Sequence, residues 1–232
     1  MKTMVILAVV VVSTSGGATA QERAATRPDF SGFWELRHDS FSVPRAKLTP
    51  AASAGEAAQE ARDLEAIRRC APMGVPALMS DRPVLNIQHS PAVIGIVPKG
   101  PASVRYINID GRPHPPADEW EGATNGHSIG KFEGDTLVVE TTGFNDRGVT
   151  SIPGGGWRTP DSKLTERWRL LYGGLVLSVT STWEDAKTFA APHTYEFRYY
   201  RVAPANEPRT HNCIAGDQER AKFLSAGSEL MR

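Results

Sequence analysis

The chain has 232 residues, 26 basic and 26 acidic side chains, a hydrophobic fraction of 40% and two cysteines. Such a balance gives no long-range pull toward nucleic acid or acidic membrane surfaces, so neither is an expected partner. The length is ample for one well-packed domain and does not demand a second.

The first twenty residues read as a signal peptide. Lys2 supplies a positive start, Val5 to Val12 an apolar run, and Ala18-Thr19-Ala20 a small-x-small cleavage site before Gln21. The apolar run falls short of the roughly 20 residues a bilayer-spanning helix needs, and nothing later is as apolar. No membrane span is expected, and Gln21 is not the cysteine that a lipoprotein anchor requires. The expected organisation is a leader over 1–20 and a single β-rich domain over 21–232, periplasmic or secreted. In an oxidising compartment Cys70 and Cys213 are expected to pair. Closing so long a loop contributes about 4–5 kcal/mol on chain-entropy grounds.

After a polar leader segment, Phe30 to Leu36 has the aromatic alternation of an opening strand. Thr49-Pro50 is an N-cap followed by Pro at the first helical position, and Ala51 to Arg69 reads as the one N-terminal α-helix, with Leu64 and Ile67 three apart. Short strands then follow: Val84 to His89, Ala92 to Val97 and Val104 to Ile109, separated by Pro, Gly and Asp and read as a meander. Ile129 to Phe132 and Thr136 to Thr141 flank a Glu133-Gly134-Asp135 hairpin turn. Residues 143–163, rich in Gly, Pro and Asp, form a long loop of the kind that serves as a lid or binding loop. Leu164 to Tyr172 and Leu175 to Trp183 flank Gly173-Gly174, and Thr194 to Val202 closes the set. The spacing suits a mainly β fold, an antiparallel barrel or sandwich, and not βαβ units.

Alternation places Glu166 on the same face as Leu164, Trp168 and Leu170. A carboxylate among apolar neighbours must be paired, hydrogen-bonded or protonated. His89 likewise shares a face with Leu85 and Ile87, and Tyr195, Phe197 and Tyr199 form a third stripe.

The densest polar segment is 110–135, with Asp110, Arg112, His114, Trp120, His127 and Glu133 near strand ends. His114 and His127 titrate near neutrality and are candidate general acids or bases. Asp110 or Glu133 would orient an imidazole, Arg112 would hold an anion or stabilise an oxyanion, and Trp120 would wall the pocket. Each residue also has a plain structural reading as turn or loop chemistry. No HxH or HExxH spacing occurs, so no metal and no cofactor is expected. Ser128 in Gly126-His127-Ser128-Ile129-Gly130 is not a nucleophile elbow, because a hairpin replaces the strand-to-helix turn that motif needs.

The stretch GRPHPPADEWEGATNGHSIGKFEGDTLVVETTGFND (111–146), with RRCAPMGVP (68–76), DFSGFW (29–34) and LTERW (164–168), resembles a family of secreted bacterial proteins sharing a Gly-His-Ser-Ile-Gly hairpin and an EGDTLVV-like strand. The resemblance implies a calycin-like, lipocalin-like barrel, and Gly32-Phe33-Trp34 matches the G-x-W of a first lipocalin strand. Family members carry an acidic residue and Asn after the second cysteine, where this chain has Ile214-Ala215.

The leading expectation is a cofactor-independent lyase, isomerase or hydrolase acting on a small, partly apolar organic molecule in the barrel mouth. His127 would be the acid/base, His114 a second candidate for that role, Asp110 or Glu133 the orienting group, Arg112 the anion anchor, Trp120 and Trp168 the walls, and Glu166 an interior carboxylate. The alternatives are a periplasmic lipocalin-like carrier of a hydrophobic ligand and an envelope structural or interaction domain.

Overall fold

A computed structural model describes residues 27–80, 84–98 and 103–203, without the side chains of 38–41. The leader, Cys213 and therefore the expected Cys70–Cys213 bond lie outside the described residues. Nine strands close a barrel: β1 (Gly32–Ser42), β2 (Val84–His89), β3 (Val93–Pro98), β4 (Arg105–Asn108), β5 (His127–Glu133), β6 (Thr136–Thr142), β7 (Lys163–Leu171), β8 (Val176–Glu184) and β9 (His193–Val202). They follow one another in sequence order around the wall, and β9 pairs back onto β1.

The meander is broken at one seam. β4 and β5 run parallel, joined through Ile107↔Ser128 and Asn108↔Ile129, whereas every other neighbouring pair is antiparallel. A parallel neighbour cannot be reached by a hairpin. Residues 109–126 therefore travel back along the outside of the wall as a strap, from the end that holds the hairpin turns to the end that holds the helix.

Strand alternation decides what faces inward. Leu164, Glu166 and Trp168 of β7, Ser128 of β5, Leu137, Val139 and Thr141 of β6, and Arg105 and Ile107 of β4 are all buried. The barrel is filled and not hollow: Trp34, Trp168, Trp183, Tyr199 and Arg105 are each less than 2% exposed. At the hairpin end His89, Phe30 and Phe132 form a three-ring cluster, with centroids 5.9 to 6.4 Å apart.

Helix α1 (Pro50–Arg68) begins as its sequence dictates, with the Thr49 hydroxyl accepting from the Ala52 amide at 3.1 Å. A four-residue second helix, α2 (Ala77–Ser80), was not foreseen from the sequence. The face that α1 buries is polar, since Leu64 and Ile67 stay part-exposed while Gln59 and Asp63 are buried. Asp63 accepts from the backbone amides of Thr150 and Ser151, at 3.1 and 2.9 Å, and from Gln59 Nε2 at 2.8 Å. The long loop is thus bonded to the helix rather than left open. Arg158 anchors the same loop, donating to the carbonyls of Val75, Asn145 and Arg147, and burial pulls its pKa down to about 10. Among the described residues no helix is long and apolar enough to cross a membrane.

Candidate functional site

The polar residues singled out in the sequence are divided by the barrel wall. His127 occupies an odd position on β5 and points outward, opposite the inward Ser128. The strap lays His114 and Trp120 over it. His114 Nδ1 and His127 Nδ1 are 2.8 Å apart, and the Trp120 ring meets His127 edge-on at 5.7 Å between centroids. Trp120 is fixed by its indole N–H, which donates to the Gly143 carbonyl at 2.9 Å. Gly143 has φ 66°, and a Cβ there would sit 2.7 Å from that indole, so only glycine admits the contact.

The two imidazoles have further partners. Asn108 Nδ2 lies 3.3 Å from His127 Nε2 and also donates to the Ser128 carbonyl at 3.3 Å. His114 Nε2 faces Glu140 Oε1 at 3.5 Å, too long for an ordinary hydrogen bond, and it has no other partner among the described residues. Glu140 is in turn bridged by Lys163. Only one set of neutral tautomers satisfies every contact. Asn108 donates to His127 Nε2, His127 Nδ1–H donates to His114 Nδ1, and His114 Nε2–H points at the Glu140 carboxylate. The opposite assignment would set a lone pair of His114 against that carboxylate.

Electrostatics agree with a neutral pair. Burial lowers the pKa of His127, helped by the charges of His114 and Arg112, and burial also lowers that of His114 against the pull of Glu140. The hydrogen bond from Lys163 holds the Glu140 carboxyl below its usual range. The chain therefore runs from His127 Nε2, capped by Asn108, through His114 to the Glu140 carboxylate, fixed by Lys163.

Several expected partners are elsewhere. Glu133 is six residues along β5 from His127, about 20 Å at the strand rise, and its carboxylate bonds Arg167 at 3.0 Å. Asp110 forks the Arg112 guanidinium at 2.9 and 3.0 Å through Nε, which lowers its pKa to about 2. Neither carboxylate orients an imidazole, and Arg112 is largely engaged. Glu166 and Trp168 are on the far side of the wall, so they cannot share a pocket with His127. The barrel mouth is likewise not where the histidines meet; strand parity puts them on the outer wall.

Glu166 satisfies the requirement for a partner through a residue the sequence reading passed over. Arg105 donates from Nη1 to Oε1 at 3.1 Å and from Nη2 to Oε2, and it also reaches the hydroxyls of Ser128 at 3.2 Å and Thr141 at 3.0 Å. Beside this clamp, Tyr195 accepts from the Trp183 indole at 3.1 Å, and burial raises its pKa. Arg105 was legible, since it shares strand parity with the apolar Ile107 and Ile109. Glu140 was legible too: pairing Glu133 with Thr136 across the turn sets Glu140 beside Ile129 and next to His127 on one face.

Among the described residues, one groove opens over the β5–β6 wall and reaches the hairpin rim at Phe132, and another opens beside α1. The larger, about 870 Å³, runs over the outer wall of β5 and β6 beneath the start of the strap, with Glu140, Ile129 and Arg112 in its lining. The smaller, about 610 Å³, lies between α1 and the 151–157 turn. No described group of three or more His, Cys, Asp or Glu side chains is arranged to hold a metal. No protein-family model and no curated protein matches the chain, so geometry alone carries the functional reading.

Proposed function

We propose that the chain is an exported, cofactor-independent acid/base enzyme whose reaction centre is the outer-wall relay, with His127 Nε2 as the base. That nitrogen takes a proton from a small, partly apolar organic molecule. The His127 Nδ1 proton passes to His114 Nδ1, and the His114 imidazolium so formed is stabilised by the facing Glu140 carboxylate, so the net transfer is from substrate to His114. A proton taken from carbon corresponds to an isomerase or lyase, and one taken from water to a hydrolase. Asn108 is displaced from Nε2 as substrate enters, its amide keeping the Ser128 carbonyl. Trp120 walls the site.

The observation that carries this reading is the 2.8 Å contact between the two Nδ1 atoms of part-buried imidazoles, backed by a carboxylate. Such a pair offers a neutral imidazole nitrogen as proton acceptor at one end and a carboxylate to balance the resulting charge at the other. Against a carrier of a hydrophobic ligand, Trp34, Trp168, Trp183 and Tyr199 occupy the interior where such a ligand would lie. The closed barrel with Gly32-Phe33-Trp34 on β1 supports the calycin-like kinship, although parallel β4 and β5 depart from a simple up-and-down order. Export and the Cys70–Cys213 bond belong to the same proposal, and the intact mass of periplasmic protein, lacking residues 1–20 and lighter by two hydrogens, tests both.

Long-range imidazole 15N spectra at pH 7.5 test the relay without a substrate. His127 is expected neutral with its proton on Nδ1, and His114 with its proton on Nε2. A proton on His127 Nε2 refutes the assignment. In a screen of small organic acids, esters and ketones, His127→Ala is expected to lower turnover by about 10²–10⁴-fold. Turnover that survives loss of both His114 and His127 refutes the enzyme reading as well.

A further inference from the structure

The larger groove has an identifiable origin. β4 ends at Asn108, yet β5 continues to Glu133, so below Ile129 the edge of β5 faces the start of the strap in place of a strand. The resulting opening of about 870 Å³ is of the size that holds small molecules. It is also adjacent to the relay. His127 Nε2 points at Asn108, whose strand partner Ile129 lines the groove, and Glu140 lines it directly.

Its lining has two characters. Pro91, Ile109, Ile129, Phe132 and Val138 are apolar, while the remainder, apart from two glycines, is charged. The three carboxylates are each matched by a cation of their own: Asp110 by Arg112, Glu133 by Arg167 and Glu140 by Lys163. Two further cations border the space. Lys131, outward on β5 between Ile129 and Glu133, is exposed and has no carboxylate partner among the described residues. Arg27 lies over the Phe132 ring at 5.3 Å and likewise has none. The groove therefore carries uncompensated positive charge over an apolar floor, although the whole chain is neutral.

We infer that this groove binds a small organic carboxylate with an apolar body, the carboxylate held by Lys131 and Arg27 and the body laid on Ile129, Phe132 and Val138. As a substrate class for the relay, it rests on the reading of His127 as the base. Two exposed cations beside an apolar surface favour an amphiphilic anion over either a neutral analogue or a bare inorganic ion.

Phenylacetate and its neutral isostere phenylacetamide are suitable probes, followed by amide chemical-shift titration of the full mature protein. Phenylacetate is expected to saturate with shifts centred on residue 27 and on residues 109–112, 129–133 and 138–140. Phenylacetamide is expected to bind at least about tenfold more weakly, and 0.5 M NaCl should weaken the carboxylate as well. Lys131→Met and Arg27→Met should each cost about threefold in affinity, and together about tenfold. The titration reads binding without turnover, so loss of the catalytic reading leaves this one standing. Equal binding of acid and amide overturns the inference, as do an unaffected double variant, shifts centred elsewhere, or no saturable shift at all.

Discussion

The inner and outer faces of β4, β5 and β6 carry polar side chains under opposite conditions. Inside, Arg105 meets Glu166, Ser128 and Thr141, and the arginine is fully buried. Outside, at positions of opposite parity on the same strands, Asn108, His127 and Glu140 are part-exposed, and one contact of the relay is left at 3.5 Å. A buried charge tolerates no missing partner, because desolvation is offset only by complete pairing. On the outer wall an incomplete contact costs little, and an imidazole can exchange one partner for another. The inner face holds the strands in register, and the outer face keeps groups free to react.

The sharpest way to break this contrast is Glu166→Ala, which strands Arg105 in the barrel. A loss of about 3–5 kcal/mol is expected in denaturant unfolding, whereas replacing Arg105 and Glu166 together with Met and Leu should restore most of it. Asp63→Ala applies the same logic where α1 meets the long loop. It should cost about 1.5–3 kcal/mol and speed amide exchange at Thr150 and Ser151, the residues Asp63 accepts from.

The smallest effect is expected from pH. His89, His114, His127 and His193 all have pKa values lowered by burial, below the usual 6.5. The unfolded chain then binds more protons than the native one just below that value. Their contribution is therefore complete above about pH 6.5 and declines as pH falls toward the native values. Thermal unfolding at pH 7.5 and 5.0 should show the decline, and replacing His114 and His127 by Gln should flatten part of it. An unchanged slope would mean that the outer pair does not hold the neutral state assigned to it.

Much of the wall was legible in the sequence. The two hairpins around Glu133-Gly134-Asp135 and Gly173-Gly174 fall where β5–β6 and β7–β8 turn, because glycine supplies the positive φ those turns need, 62° at Gly134 and 67° at Gly173. The helix start was legible from Thr49-Pro50. The demand that Glu166 be paired followed from its neighbours. Which side of the wall each candidate occupies was harder, since Glu166, Trp168 and His127 are near one another in any list of polar and aromatic residues, and only parity separates them. The seam was not legible. Val104 to Ile109 alternates like any hairpin strand, and nothing local says that the next strand will lie parallel to it. That orientation emerges from closing the barrel, a long-range condition, and it decides where residues 109–126 go.

Because the chain has to climb the outside of the wall between β4 and β5, His114 and Trp120 ride on a connection whose only ladder contacts are at its two ends. Beyond the buried Ile109, this segment contributes no side chain to the hydrophobic core. Chains sharing this framework would then diversify their chemistry by exchanging one external ribbon, much as interchangeable tool heads fit a common handle.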